Sequence, residues 1–171
     1  MGRVRRDRAF AVEPDALFTL RFADRPKGEE LAHFFYEADR GTMASTDILK
    51  KFRAYFHFIK RQQRHNEAFG VHPVRAVLVE TTDEPRAKRL MQLVNHPLVS
   101  GPGRRAGLFW FSLLSLFVET SVEADSGRTL PRYLDRPEIV FNPIFALPDE
   151  TMHALGDMEN TVVSKTSPSK M

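Results

Sequence analysis

The chain reads as an α/β domain, a mixed β-sheet flanked by helices with elements in the order β-β-β-α-β-α-β. Three observations predict it. Short runs rich in Phe, Val, Leu and Tyr are separated by clusters of Pro, Gly and Asp, the pattern of strands joined by turns. Between residues 45 and 64 the apolar side chains recur at helical spacing instead. The strand–helix–strand passage from Glu37 to Val79 implies a parallel pair with a right-handed crossover, behind an antiparallel front.

Taken in order, Phe10 to Val12 and Ala16 to Phe22 read as strands, with Glu13-Pro14-Asp15 between them or at the start of the second. Asp24 to Glu30 contains Pro26 and Gly28 and reads as a turn. Leu31 to Ala38 is the next strand, reached by a hairpin or meander. Arg40-Gly41-Thr42 breaks it, and Ser45 or Thr46 caps a helix running to about Arg64. Ile48, Phe52, Tyr55 and Ile59, at steps of four, three and four, form the face that belongs against the sheet. Asn66 to Pro73 reads as a loop and Val74 to Val79 as a buried strand. Thr82 or Asp83 caps a second helix over Glu84 to Val94, with Pro85 in the first turn, where proline is tolerated. Leu108 to Phe111 is a strand, and Leu113 to Val118 extends it or turns into a short helix. Ser126 to Pro137 reads as a loop, and Glu138 to Phe141 as a last short strand. The domain is thus expected over residues 10–155, after a basic segment at 1–9 and before a disordered tail at 156–171.

With 171 residues, 42% of them hydrophobic and 14 of them Phe, the chain suits one domain with a real core. The absence of cysteine excludes disulfides, thiolate metal sites and cysteine nucleophiles, and points to a reducing cytoplasm. No apolar stretch follows the basic N-terminus as a secretory signal would require. The longest apolar run, Gly107 to Val118, is too short to span a bilayer, so no membrane is expected. A net charge of +3 permits an anionic partner without demanding one.

Three carboxylates carry the functional signal. Asp15 follows Pro14, while Glu37 and Asp39 lie two apart on one strand and so point the same way. If the strand of Asp15 lies beside that of Glu37, the three converge at one sheet edge, where hard Mg²⁺ or Mn²⁺ would find carboxylate oxygens. Such an ion activates water and neutralises a phosphodiester, and Lys50 or Lys51 on the following helix would orient the water or stabilise the transition state. The bland alternative pairs the acids with Arg40 or Lys51 as surface salt bridges.

Pro14-Asp15 followed by Glu37-Ala38-Asp39 resembles the PD-(D/E)xK nuclease pattern, with aspartate in place of its final lysine. Together with Arg40-Gly41-Thr42, Lys51-Phe52-Arg53-Ala54-Tyr55 and Val77-Leu78-Val79, these residues resemble the replication-relaxation family of plasmids and mobile elements, over roughly residues 10–95. The resemblance implies a restriction-endonuclease-like sheet and DNA processing. Asp15, Glu37 and Asp39 would be metal ligands and catalytic residues, and Lys51 would serve for the absent strand lysine. It also implies a winged-helix DNA-binding segment ahead of this region; only nine residues precede Phe10, so the chain reads as the C-terminal half alone. Without a working lysine, the same site binds metal, DNA or a replication partner without cutting.

Lys50, Arg53, His57, Lys60 and Arg64 form a second stripe on the long helix, either a solvated face or a ridge that tracks DNA phosphates. The six histidines show no paired ligand spacing, and His65 and His72 read as exposed polar residues. Ser112 and Ser115 lack a nucleophile-elbow context. Trp110, between Phe109 and Phe111, reads as core.

Overall fold

A computed structural model describes residues 12–101, 107–114, 118–122, 129–133 and 137–156. It is an α/β fold with a mixed, open, six-stranded sheet in the order β1-β2-β3-β4-β7-β8. β1 (Ala16–Arg21) and β2 (Leu31–Asp39) run antiparallel, as the turn at Pro26 and Gly28 implied. β2 then pairs in parallel with β3 (Val74–Thr81), and β3 in parallel with β4 (Phe109–Leu113). The front is therefore antiparallel and the middle parallel. β7 (Phe145–Ala146) and β8 (Met152–His153) close the far edge in antiparallel pairs.

The two parallel crossovers carry the main helices, α1 (Ser45–Phe56) and α3 (Glu84–Val94). The stripe of Ile48, Phe52, Tyr55 and Ile59 is buried against Phe35, Val77, Val79, Phe109 and Phe111 of the sheet, joined by Leu90 and Val94 of α3. Burying a side chain of this size contributes about 1.5–3 kcal/mol, so this layer dominates the cohesion of the fold. The opposite face packs Phe34, Leu78 and Trp110 under Phe145, Leu147 and Leu155 from the C-terminal segment. Trp110 is fully buried, as its neighbours in sequence implied.

Several boundaries differ from the sequence reading. Val12 lies outside any strand, and Phe10 is outside the described residues, so two described strands rather than three precede α1. Ser45 already lies within α1; the residue before it is Ala44, and no side chain caps the helix. α1 does not continue regularly to Arg64. A π-turn (His57–Arg61) follows it, and a short helix α2 (His65–Phe69) occupies much of the expected loop, closed by Gly70 in the left-handed region at φ 67°. Asp83 caps α3 as expected, its carboxylate accepting from Arg86 N–H at 2.7 Å. A single turn, α4 (Pro97–Ser100), begins at the proline that was expected to terminate α3. The stretch 129–133, expected as loop, is strand β6 (Thr129–Tyr133), paired with β5 (Val118–Val122) as a separate two-stranded ribbon. Residues 138–141, expected as a strand, belong to a 3₁₀ turn over Pro137–Phe141, and β7 and β8 take the sheet edge instead. An apolar run this short has no decisive period, and pairing partners settled each case. The segments 1–9 and 157–171 lie outside the described residues.

Candidate functional site

Glu37 and Asp39 sit at the C-terminal end of β2 in its parallel pair with β3, the place where open α/β sheets leave a crevice for ligands, and Asp15 reaches the same end from the start of antiparallel β1. Asp15 immediately precedes the Ala16–Tyr36 pair of the β1–β2 ladder, which sets it beside Glu37. One of its oxygens accepts from Ala38 N–H at 2.8 Å, pinning the start of β1 to the end of β2. Glu37 faces α1 and is only 5% exposed. Lys51 and Tyr55, one turn apart on α1, donate to its two oxygens, one each. Burial raises the Glu37 pKa above its ordinary value, against the opposing pull of Lys51 and Tyr55, with the nearby Asp15 charge pushing the same way as burial. Burial likewise raises the Tyr55 hydroxyl, and Glu37 raises it further. Tyr55 therefore keeps its proton and donates a hydrogen bond to the carboxylate.

Asp39 points to the same side as Glu37 but has a different partner. The guanidinium of Arg86, in the first turn of α3, holds both its oxygens, at 2.8 Å and 3.0 Å. Thr81 of β3 donates to it at 3.0 Å. Burial opposes ionisation of Asp39, yet Arg86 and Thr81 together bring its pKa below the ordinary value. The pair is largely enclosed, with side chains 11% and 10% exposed. A cavity of about 120 Å³ opens between these groups, lined by Glu37, Asp39, Arg40, Lys51 and Tyr55 among others.

The three carboxylates are thus close in the fold without forming one cage. Among the described residues, no group of three or more His, Asp or Glu side chains is arranged to hold a metal ion. Asp39 faces Arg86, so the donors that remain suited to a hard divalent ion are Asp15 and Glu37, the latter through oxygens now shared with Lys51 and Tyr55. One or two carboxylates completed by water is an ordinary set for Mg²⁺. No protein-family model, curated protein or solved structure matches the chain. The site is therefore read from its own chemistry.

Lys51 stands where the sequence reading needed a lysine, against Glu37. Lys50 points elsewhere, pairing with Asp47 at 2.8 Å on the exposed side of α1. The basic stripe is interrupted: the π-turn, marked by Gln62 N–H bonding the His57 carbonyl at 2.8 Å, changes the helical step after Arg53. Arg53 is half-buried, Arg64 is exposed at the start of α2, and Lys60 lines a cavity with Arg25 and Arg75. His65 is buried at 2% exposure rather than exposed, its Nε2 3.0 Å from Nδ1 of His72. Arg86 and Tyr55 are the groups that the reading of the acids passed over. Arg86 lies 47 positions from Asp39, and no local spacing announces such a pair. Among the described residues no helix is long and apolar enough to cross a membrane.

Proposed function

We propose that the chain is a DNA-processing module of the replication-relaxation type on a restriction-endonuclease-like sheet, working beside a winged-helix segment or protein. The observation that supports it is the gathering of Asp15, Glu37 and Lys51 at the C-terminal end of the β2–β3 pair. In this reading Asp15 and Glu37 hold Mg²⁺ or Mn²⁺, which when bound supplies Lewis-acid activation of water and charge neutralisation at a phosphodiester. The Lys51 ammonium leaves Glu37 for the scissile phosphate, and Tyr55 keeps Glu37 oriented. Asp39 and Arg86 brace the end of β2 against α3.

A second reading, in which the module binds DNA or docks a replication partner without cutting, is favoured by the internal cations: Glu37 and Asp39 each have both oxygens engaged by this chain's own donors. Supercoiled plasmid incubated with the purified chain and Mg²⁺ or Mn²⁺ separates them. The first reading expects nicking that falls at least tenfold in Glu37→Gln and Lys51→Ala. Salt-dependent duplex binding with nicking no greater than in Glu37→Gln leaves only the second. Absence of duplex binding as well removes both DNA readings and leaves only partner docking.

A further inference from the structure

At the other end of the β2–β3 pair the charge pattern inverts. A cavity of about 370 Å³ lies between the β1–β2 turn, the π-turn and the start of β3. Arg25, Lys60 and Arg75 line it with a single carboxylate, Glu29, and its apolar wall includes Leu31 and Pro73. Ala32, at this cavity, and Glu37 lie five positions apart on β2, which sets these two points roughly 17 Å apart at strand rise. The cations come from three separate segments, so their convergence is a product of the fold and no sequence stripe marks it.

Three features distinguish this cavity from a solvated basic surface. Among the described residues, no carboxylate forms an ion pair with Lys60 or Arg25. The Lys60 pKa is lowered, first by desolvation and then by the Arg75 charge, which marks the two cations as near neighbours at this cavity. Arg75 is meanwhile fixed in place, its guanidinium 5.4 Å from the centre of the buried Trp110 ring. A preset guanidinium with neighbouring ammonium and guanidinium groups suits the tetrahedral oxygens of a phosphate. Leu31, 42% exposed at the cavity wall, offers an apolar surface to whatever carries that phosphate.

The geometry points to a second ligand site here, a pocket for a phosphate group borne by a nucleotide or by a nucleic-acid backbone, held by Arg25, Lys60 and Arg75. It stands apart from the carboxylate pocket and needs no metal there. It gives Lys60 a role separate from that of Lys50: Lys60 clamps a phosphate at one point, and Lys50 sits in an exposed ion pair.

Trp110 is the chain's sole tryptophan and touches the clamp, so its fluorescence reports occupancy directly. Inorganic phosphate, a nucleoside monophosphate, the same nucleoside without phosphate, and a short DNA oligonucleotide are titrated against the full chain and against Arg25→Gln/Lys60→Gln. Both substituted residues are exposed, and far-UV circular dichroism verifies folding of the variant. We expect saturable change with phosphate-bearing ligands, none with the nucleoside, and affinity at least fivefold weaker in the variant. Saturation by the monophosphate assigns a free nucleotide; saturation by the oligonucleotide alone assigns a nucleic-acid backbone. No response from any phosphate ligand, an equal response from the nucleoside, or unchanged affinity in the variant overturns the site. Plasmid nicking is a separate readout, so failure at the carboxylate pocket leaves this result intact.

Discussion

The two ends of the β2–β3 pair treat charge in opposite ways. At the C-terminal end each strand carboxylate has its cation: Lys51 for Glu37, Arg86 for Asp39. At the N-terminal end Arg25, Lys60 and Arg75 share a cavity with Glu29 alone. The Arg86–Asp39 charges, both largely enclosed, resist separation, because removing one leaves the other buried and unpaired, whereas Lys51, 36% exposed, can return to water when Glu37 is neutral. Arg25 and Lys60, which form no ion pair among the described residues, stand beside Arg75 at an open cavity, and like charges gathered there gain by admitting an anion. The first arrangement therefore spends its electrostatics on holding the end of the sheet together, and the second keeps them for a ligand.

The matched end contains its own contrast. The Glu37 pKa is raised, chiefly by burial, so near and above the ordinary glutamate range the native protein retains a proton that the unfolded chain has released. That contribution makes stability fall as pH rises through the window above pH 4.5. The Asp39 pKa is lowered, so its contribution is fully present above the ordinary aspartate value of 3.8 and is lost as pH falls through the lower folded value. Neighbouring acids on one strand thus push the acid limb of the stability curve in opposite directions.

Three substitutions sharpen the comparison, beginning with the largest effect. Arg86→Ala strands Asp39 in a largely enclosed place and should cost about 3 kcal/mol in urea unfolding at pH 7; a loss below about 1 kcal/mol would mean that the fork contributes little to cohesion. Glu37→Gln should leave stability at pH 7 unchanged or raise it by up to about 1 kcal/mol. Its advantage over the parent should shrink as pH drops toward 4, where the parent's Glu37 is itself protonated; unfolding curves between pH 4 and 8 check this, and a growing advantage at low pH would reverse the assignment of burial as the main influence. Lys60→Gln, at the unmatched end, should change stability by no more than about 0.5 kcal/mol and should not destabilise. A substantial loss there would show that Lys60 has a structural partner and that the ends are more alike than the charge pattern indicates.

Much of this architecture was legible in the residues. The helical stripe of Ile48, Phe52, Tyr55 and Ile59 is buried as its spacing required, and α3 occupies Glu84–Val94 with Asp83 as its cap. Period and capping are local signals, and each reports a contact within one turn or one face. That a lysine near the start of α1 could reach the acids was legible too, but the residues left Lys50 and Lys51 both open; the fold puts Lys51 against Glu37 and Lys50 against Asp47. The fork between Asp39 and Arg86 was not legible, nor was the break in the basic stripe. A π-turn has no residue signature here, and its effect is to redistribute Arg53, Lys60 and Arg64 among different neighbours.

What the sequence by itself determined is the class of sheet, the crossover helices and which acids lie near the end of β2, because hydrophobic period and turn chemistry act over a few residues. Only the tertiary structure decided which cation each acid takes, and that Arg25, Lys60 and Arg75 meet at one cavity. Those pairings join residues 14 to 47 positions apart, and charge interactions depend on distance through space and on burial, neither of which is written in local spacing.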